Sequence, residues 1–387
     1  MTELMGTRRD LRAVSYALCS AVVGVIFMRL VVYFAPLSSS DYGSSLAVDA
    51  LFSVPTQVLF FLIIPFLIYM FYGKRTAAGV LEFSSAHRQF SPLWLLAFPL
   101  GFCVWIVTIG VSSGWLGLLD LMGYNYSSSE PPMPETLNVG FFVAELVMTA
   151  VLPAVCEEFI MRGGTTAVMR KKLGTLGCVI FGGIAFGLFH QNIRQVFYTS
   201  LFGALATLLT VKLESIYPAM IMHFTNNFCS VFFSYADEYR FAVGGGMLDG
   251  INALASNSYF AFFVVILAVA AAGAAIVYVL LSFGKRKARR AHNVYRPAAR
   301  PAQPAPPMPA IQQQTQPIPT SGEAGSPAPE LGVSAPVVAA PSVTPAPVTP
   351  APEVKEKTEA RDIMILVALA VVTVLTTVFT FVWGFFV

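Results

Sequence analysis

Charge is what this sequence has least of. Only 12% of its 387 residues are Asp, Glu, Lys or Arg, against about 25% in average soluble proteins. Hydrophobic residues make up 56%, and the mean hydropathy is +0.68. A soluble domain cannot bury that much apolar surface, so the composition excludes a soluble protein and points to an integral membrane protein. The net charge of +3 means little by itself, and no nucleic-acid partner is expected. Histidine is also scarce, with four in the chain: His87 and His292 in polar loops, His190 and His223 in apolar runs. The five cysteines, Cys19, Cys103, Cys156, Cys178 and Cys229, all fall inside apolar runs. None sits in a soluble loop where a disulfide would form readily. Cys156 adjoins Glu157, but an apolar setting disfavours the thiolate, so it reads as a small buried hydrophobe rather than a nucleophile.

What is present is a succession of apolar segments. Hydropathy predicts an all-α fold, a polytopic transmembrane helical bundle of eight core spans plus a ninth, C-terminal span tethered by a linker. The helices are expected near 13–35, 54–72, 92–117, 138–172, 175–190, 195–213, 216–234, 258–283 and 363–387. The expected divisions are a cytoplasmic amino terminus (1–12), N-terminal spans (13–137), core helices (138–234), a loop with the eighth span (235–284), a basic then Pro/Ala-rich disordered linker (285–361) and the last span (362–387). That linker, with stretches such as RPAARPAQPAPPMPA, has too few large apolar residues to fold by itself. It is a candidate recruiter of a soluble partner.

The basic residues orient the bundle. Arg8, Arg9 and Arg12, then Lys74 and Arg75, then Arg170, Lys171 and Lys172, then Lys212, then Lys285 to Arg290 all fall on one side of the alternating spans. The opposite loops hold only Arg194 and Arg240, beside Asp41, Asp49, Asp120, Glu130, Glu135, Asp237, Glu238 and Asp249. Lys and Arg accumulate on the cytoplasmic side, so the amino terminus is expected inside the cell. Arg29, deep in the first span, either snorkels to the surface or faces the bundle and pairs with a carboxylate.

Three polar clusters interrupt the apolar helices: EEFIMR (Glu157 to Arg162), FGLFH (Phe186 to His190) and HFTNN (His223 to Asn227). Charged groups within the bilayer are expensive and tend to be functional. Glu158 precedes Arg162 by four residues, the better order for an ion pair along one helix. His223 and Asn227 are also four apart and share a helix face. Phe186, one turn before His190, can fix the imidazole by packing. Gly174 is a helix stop between the fourth and fifth segments. Glu157 is 17 residues before it and His190 is 16 after it. At 1.5 Å per residue, both lie about 24–26 Å from the turn, at matching depth in an antiparallel hairpin. Pro153 removes a helix hydrogen bond to the carbonyl of Thr149 and can open a polar cavity beside Glu157. Glu145 reads as a structural residue facing the bundle.

A glutamate and a histidine holding one water are competent for hydrolysis, with Glu157 as general base. His223 and Asn227 are candidates to stabilise the oxyanion. A rival within the same class is zinc at Glu157, His190 and His223, an acceptable ligand set, although no HExxH helix is present. The metal-free version, with no cofactor, is the expected one. Outside catalysis, the residues also allow a membrane immunity or scaffold protein that uses the basic segment 285–290 to touch anionic lipid. No inverted repeat supports a transporter.

On these motifs the sequence resembles the CAAX protease and bacteriocin-processing (CPBP) family, also called the Abi or type II CAAX prenyl endopeptidase-like family. Its signature is EExxxR, FxxxH and HxxxN or HxxxD on successive membrane helices, and the likeness covers residues 138–234. The resemblance implies an intramembrane endopeptidase of glutamate type, often labelled a metalloprotease. Glu157 and His190 would activate water, His223 with Asn227 would form the oxyanion site, and Glu158 and Arg162 would support the first helix. The substrate would be a membrane-bound or lipidated peptide or protein. The expected location is a prokaryotic cell membrane. The ninth span and its linker depart from the family pattern.

Overall fold

The computed structural model describes residues 2–34, 41–86, 90–124, 131–294 and 360–383. The Pro/Ala-rich part of the expected linker, His87 and the final four residues lie outside the described residues. All secondary structure among the described residues is helical: α1 (Thr2–Phe34), α2 (Tyr42–Phe71), α3 (Ala77–Phe83), α4 (Pro92–Leu121), α5 (139–173), α6 (175–189), α7 (Val196–Leu213), α8 (Tyr217–Glu238), α9 (Met247–Asn257), α10 (Tyr259–Val294) and α11 (Ala360–Trp383). The protein is an all-α, multi-pass integral membrane bundle. Among the described residues, six stretches are long and apolar enough to cross a bilayer. One of these, Val139–Phe189, is broken by Gly174, whose φ of 68° and ψ of −172° turn α5 into α6. Glycine adopts that backbone without a Cβ clash.

Each predicted span coincides with a helix, and the differences have local causes. α2 begins at Tyr42, about three turns before the expected start, because Asp41 caps it. The Asp41 carboxylate accepts from the Ser44 amide at 3.0 Å and the Ser44 hydroxyl at 2.7 Å, and these bonds hold its pKa below the ordinary value. Asn138 caps α5 in the same way, accepting from the Gly140 and Phe141 amides at 2.9 and 3.2 Å. α10 continues through the basic run to Val294 rather than ending at the expected boundary near 284. The run KRKARRA is composed of strong helix formers, and cations suit a helix carboxyl end. α3 and α9, short helices within loops, have too few apolar residues to announce themselves as spans.

The core gathers on α1, α2 and α5 to α8. α6 and α7 pack most closely, because glycine lets their backbones meet. A Cβ on Gly183 would lie 2.8 Å from the Ser200 carbonyl oxygen, and one on Gly187 would lie 2.6 Å from that of Val196. Without a hydrophobic drive between spans in lipid, such close approach supplies the dispersion contacts that hold them. α8 lies against α4 and α5, and α11 rests on α1. On the expected cytoplasmic side, Arg75 ties α2 to α1 through Asp10 at 2.5 Å.

Candidate active site

The fourth expected span contains more than a kink at Pro153. α5 widens into π-helical turns over Val147–Val151 and again over Phe159–Thr165, on either side of Glu157 and Glu158. Such wide turns are frequent at functional sites. Proline at 153 has no N–H, so the Thr149 carbonyl is left without its usual helical donor. Asn227 fills that vacancy from α8, its Nδ2 donating to the Thr149 oxygen at 2.7 Å. The Asn227 Oδ1 in turn accepts from Asn226 Nδ2 at 2.9 Å. One side chain of the HFTNN cluster therefore fastens α8 to the helix that carries the glutamates.

Glu158 and Arg162 pair within α5 as their spacing predicts, 3.1 Å apart with both side chains fully buried. The arrangement reaches further than one helix. Glu158 Oε1 also accepts from His223 Nδ1 at 2.8 Å, and Arg162 donates to the Gly203 carbonyl of α7 at 3.3 Å. The guanidinium lies over the Phe186 ring, 4.1 Å from its centroid. Phe186 touches His190 edge-on at 4.9 Å and His223 at 5.9 Å. Phe202 of α7 covers the other side of His223 at 4.8 Å. Arg162 is thus a buried post around which α5, α6 and α7 are assembled, with α8 joined to it through Glu158.

His190 ends α6 at its carboxyl cap, and its Nδ1 meets the Phe186 carbonyl oxygen at 2.8 Å. A carbonyl only accepts, so Nδ1 carries the proton, and in the neutral ring Nε2 is left as an acceptor. For His223, the carboxylate at Nδ1 fixes the tautomer by the same reasoning. The turn after His190 is held from two sides. Gln191 takes a left-handed φ of 50°, and Trp115 Nε1 on α4 donates to the Ile193 carbonyl at 2.7 Å. Arg29 donates to the His190 carbonyl at 3.2 Å. It thus makes a backbone contact at the end of α6, an outcome neither sequence alternative named.

These groups surround one polar cavity of about 630 Å³ enclosed by α2, α4, α5, α6, α7 and α8. Glu157, Phe186, His190, His223 and Asn227 all line it, whereas Glu158 and Arg162 stand behind the wall. Glu157 is 8% exposed, and its Oε2 has no hydrogen-bond partner in the protein. The sequence reading missed Gln57 on α2, whose Nε2 donates to Glu157 Oε1 at 2.7 Å. An isolated Thr-Gln pair in an otherwise apolar run was the available signal, since a polar side chain among apolar helices needs a partner. Among the described residues, no group of three or more His, Cys, Asp or Glu side chains is gathered closely enough to hold a metal ion. Glu157, His190 and His223 therefore share a cavity without forming a ligand cage.

Glu145 is bundle-facing, as expected. Its Oε2 accepts from Tyr42 and Tyr235 at 2.6 and 3.0 Å. Cys156 is buried and is not among the residues that line the cavity. Neither the curated proteins nor the solved structures contain a match to the chain. Residues 139–229, the stretch that holds every one of the motif residues, match the type II CAAX prenyl endopeptidase Rce1-like family model, so the chain carries an Rce1-like domain consistent with a CPBP-family intramembrane protease.

Proposed function

We propose that this protein is an intramembrane endopeptidase that hydrolyses a peptide bond of a membrane-associated or lipidated peptide with a water activated by Glu157 and His190. The observation that carries this reading is the polar cavity of about 630 Å³ among apolar helices, with Glu157, His190, His223 and Asn227 in its wall. Water enters a site that is polar and roomy enough to give it partners. One of its protons goes to the Glu157 carboxylate as its oxygen attacks the scissile carbonyl carbon, while the accepting Nε2 of His190 holds its other O–H in place. The carbonyl π bond opens to an oxyanion, which collapses as the C–N bond breaks. The departing nitrogen then takes the proton back from the acid–base pair.

The oxyanion requires donors. His223 Nε2 is one when the ring carries both protons, with the Glu158 carboxylate as counter-ion at Nδ1. Asn227 keeps one N–H after its bond to Thr149, enough for a second. Each donor of this kind is worth about 3–4 kcal/mol at the transition state. The EExxxR motif thus divides its labour: Glu157 meets the water, while Glu158 and Arg162 hold His223 and Phe186. The steps take the metal-free form that the sequence leads one to expect.

The working orientation has the amino terminus in the cytoplasm of a prokaryotic cell. The basic end of α10 would then lie at the inner leaflet, where it can meet anionic lipid, and the Pro-rich linker would be available to a soluble partner. The test compares peptides in membranes that contain wild-type protein, Glu157→Gln or no protein, followed by cleavage assays of the purified protein. Peptides that depend on wild type and vanish with Glu157→Ala and His190→Ala are expected. Full cleavage by both alanine variants would end the peptidase reading. Complementation of a null strain by Glu157→Ala would instead favour a non-catalytic immunity or scaffold role.

A further inference from the structure

We propose that Gln57 is a positioning residue of the water-activating site, supplied by a helix outside the family-matched segment; the inference rests on the peptidase reading above. Glu157 has two carboxylate oxygens with different surroundings. Oε1 accepts from Gln57 Nε2 at 2.7 Å, a short contact of the charge-assisted kind, and Oε2 is buried with no protein partner. The Gln57 side chain is itself more than nine-tenths buried, since the residue is 8% exposed. Its amide orientation is determined by chemistry. A carbonyl oxygen facing a carboxylate oxygen would repel it, so the NH₂ faces Glu157 and the Gln57 Oε1 is left as an acceptor without a partner.

The backbone of α2 is shaped to make this contact. Its π-helical turns begin at Pro55 and run to Ile63, with Gln57 in the first of them, and this wide stretch packs on the 152–158 part of α5. A free glutamate side chain has three rotatable bonds and loses rotamer freedom when it must hold one oxygen toward a water. The Gln57 amide removes that freedom before substrate arrives. It pins one oxygen, and with it the plane of the carboxylate beside the cavity. The effect is on the geometry of proton transfer rather than on holding the peptide, so it falls on kcat and leaves KM nearly unchanged.

The test uses full-length protein in liposomes and a quenched farnesylated CAAX peptide. Gln57→Met keeps the length and volume of the side chain and removes the donor. Its kcat is expected to fall about 10- to 100-fold, the range for losing a hydrogen bond to a charged group, with KM within about twofold of wild type. Gln57→Glu keeps the shape but sets an acceptor against an acceptor, and is expected to fall at least as far. Unchanged kcat in folded protein, or a rise in KM alone, overturns the proposal. So does a loss of activity in both variants that merely tracks the loss of folded protein. If wild type is silent on this peptide, that result counts against the peptidase reading alone. The clamp is then read from thermal unfolding of Gln57→Met, Glu157→Ala and the double variant. Shifts that fail to add uphold the contact, and strictly additive shifts overturn it.

Discussion

Two halves of the cavity wall were built from different kinds of sequence. The half from α5 to α8 carries paired, spaced polar residues, and each motif there has a visible partner at helical spacing. The helices before it, α1, α2 and α4, contribute single supporting contacts at isolated positions: Gln57, in the wall, at Glu157, and behind the wall Arg29 at the His190 carbonyl and Trp115 at the Ile193 carbonyl. The family match covers only the first kind, residues 139–229. The difference teaches that the reacting groups lie on one set of helices, while groups that hold them come partly from another. A motif records the first set because several of its residues must keep a fixed spacing on one helix. A lone support needs only to arrive at the right place in space, which several backbones could accomplish.

The largest expected effect tests the motif half. Arg162→Met should destabilise the protein by about 3–5 kcal/mol, because it leaves the fully buried Glu158 carboxylate without its cation. Thermal unfolding in detergent measures this. Arg162→Lys should not restore wild-type stability, since an ammonium cannot both cover the Phe186 ring and reach the Gly203 carbonyl as the planar guanidinium does. Removing both charges, with Glu158→Leu added, should recover part of the stability and none of the cleavage, because His223 would still lack its carboxylate. If the double variant cleaves like wild type, Glu158 has no part in orienting His223.

A smaller effect is expected where the motif half fastens to itself. Asn227→Ala removes the donor from the Thr149 carbonyl and should cost about 0.5–1.5 kcal/mol, the range for one hydrogen bond at an exposed site. Adding Pro153→Ala returns a backbone N–H to the same region. The pair should therefore be more stable than Asn227→Ala alone. An additive or worse result would show that the wide turn over Val147–Val151 does not arise from the missing proline donor. The Arg29 contact is smaller still. Arg29 is exposed on its helix, and its bond to the His190 carbonyl is 3.2 Å long. Arg29→Met is expected to shift stability by about 1 kcal/mol or less and lower kcat only a few-fold. An effect on cleavage as large as that of Gln57→Met would mean the end of α6 is held mainly from α1.

Much of this architecture could be read from the residues alone. The nine helical segments followed from apolar runs, and the turn between α5 and α6 followed from Gly174. The shared cavity followed from counting residues on either side of that glycine, since Glu157 and His190 both line it. The Pro153 argument named the Thr149 carbonyl as the atom left without a donor, but not the side chain that fills the place. Gln57 was invisible for a physical reason: one glutamine in a helix has no periodicity, and its partner is 100 residues away in the chain. The Glu158–His223 bond was hidden likewise, because spacing reports neighbours on one helix and says nothing of which carboxylate a second helix will meet. The helical extension of α10 to Val294 was missed because the basic run was read by charge rather than by helix propensity.

The smallest effect is expected from α11, which tests where the N-terminal half ends functionally. α11 rests mainly on α1, with a smaller contact to the segment 166–189, and none of its residues lines that cavity. Its threonines largely satisfy themselves: Thr373 and Thr376 donate to the Leu369 and Val372 carbonyls of the same helix at 2.7 and 3.0 Å. Packing against α1 therefore competes with packing against lipid tails that are equally apolar, and gains little beyond shape. Truncation before residue 358 should lower the unfolding temperature by a few degrees at most, and should leave kcat within about twofold. If truncation instead abolishes cleavage while the remaining bundle stays folded, α1 transmits a constraint from α11 to the His190 end of α6. The route would run through Arg29, and Arg29→Met combined with the truncation should then add no further loss, because both changes would release the same contact.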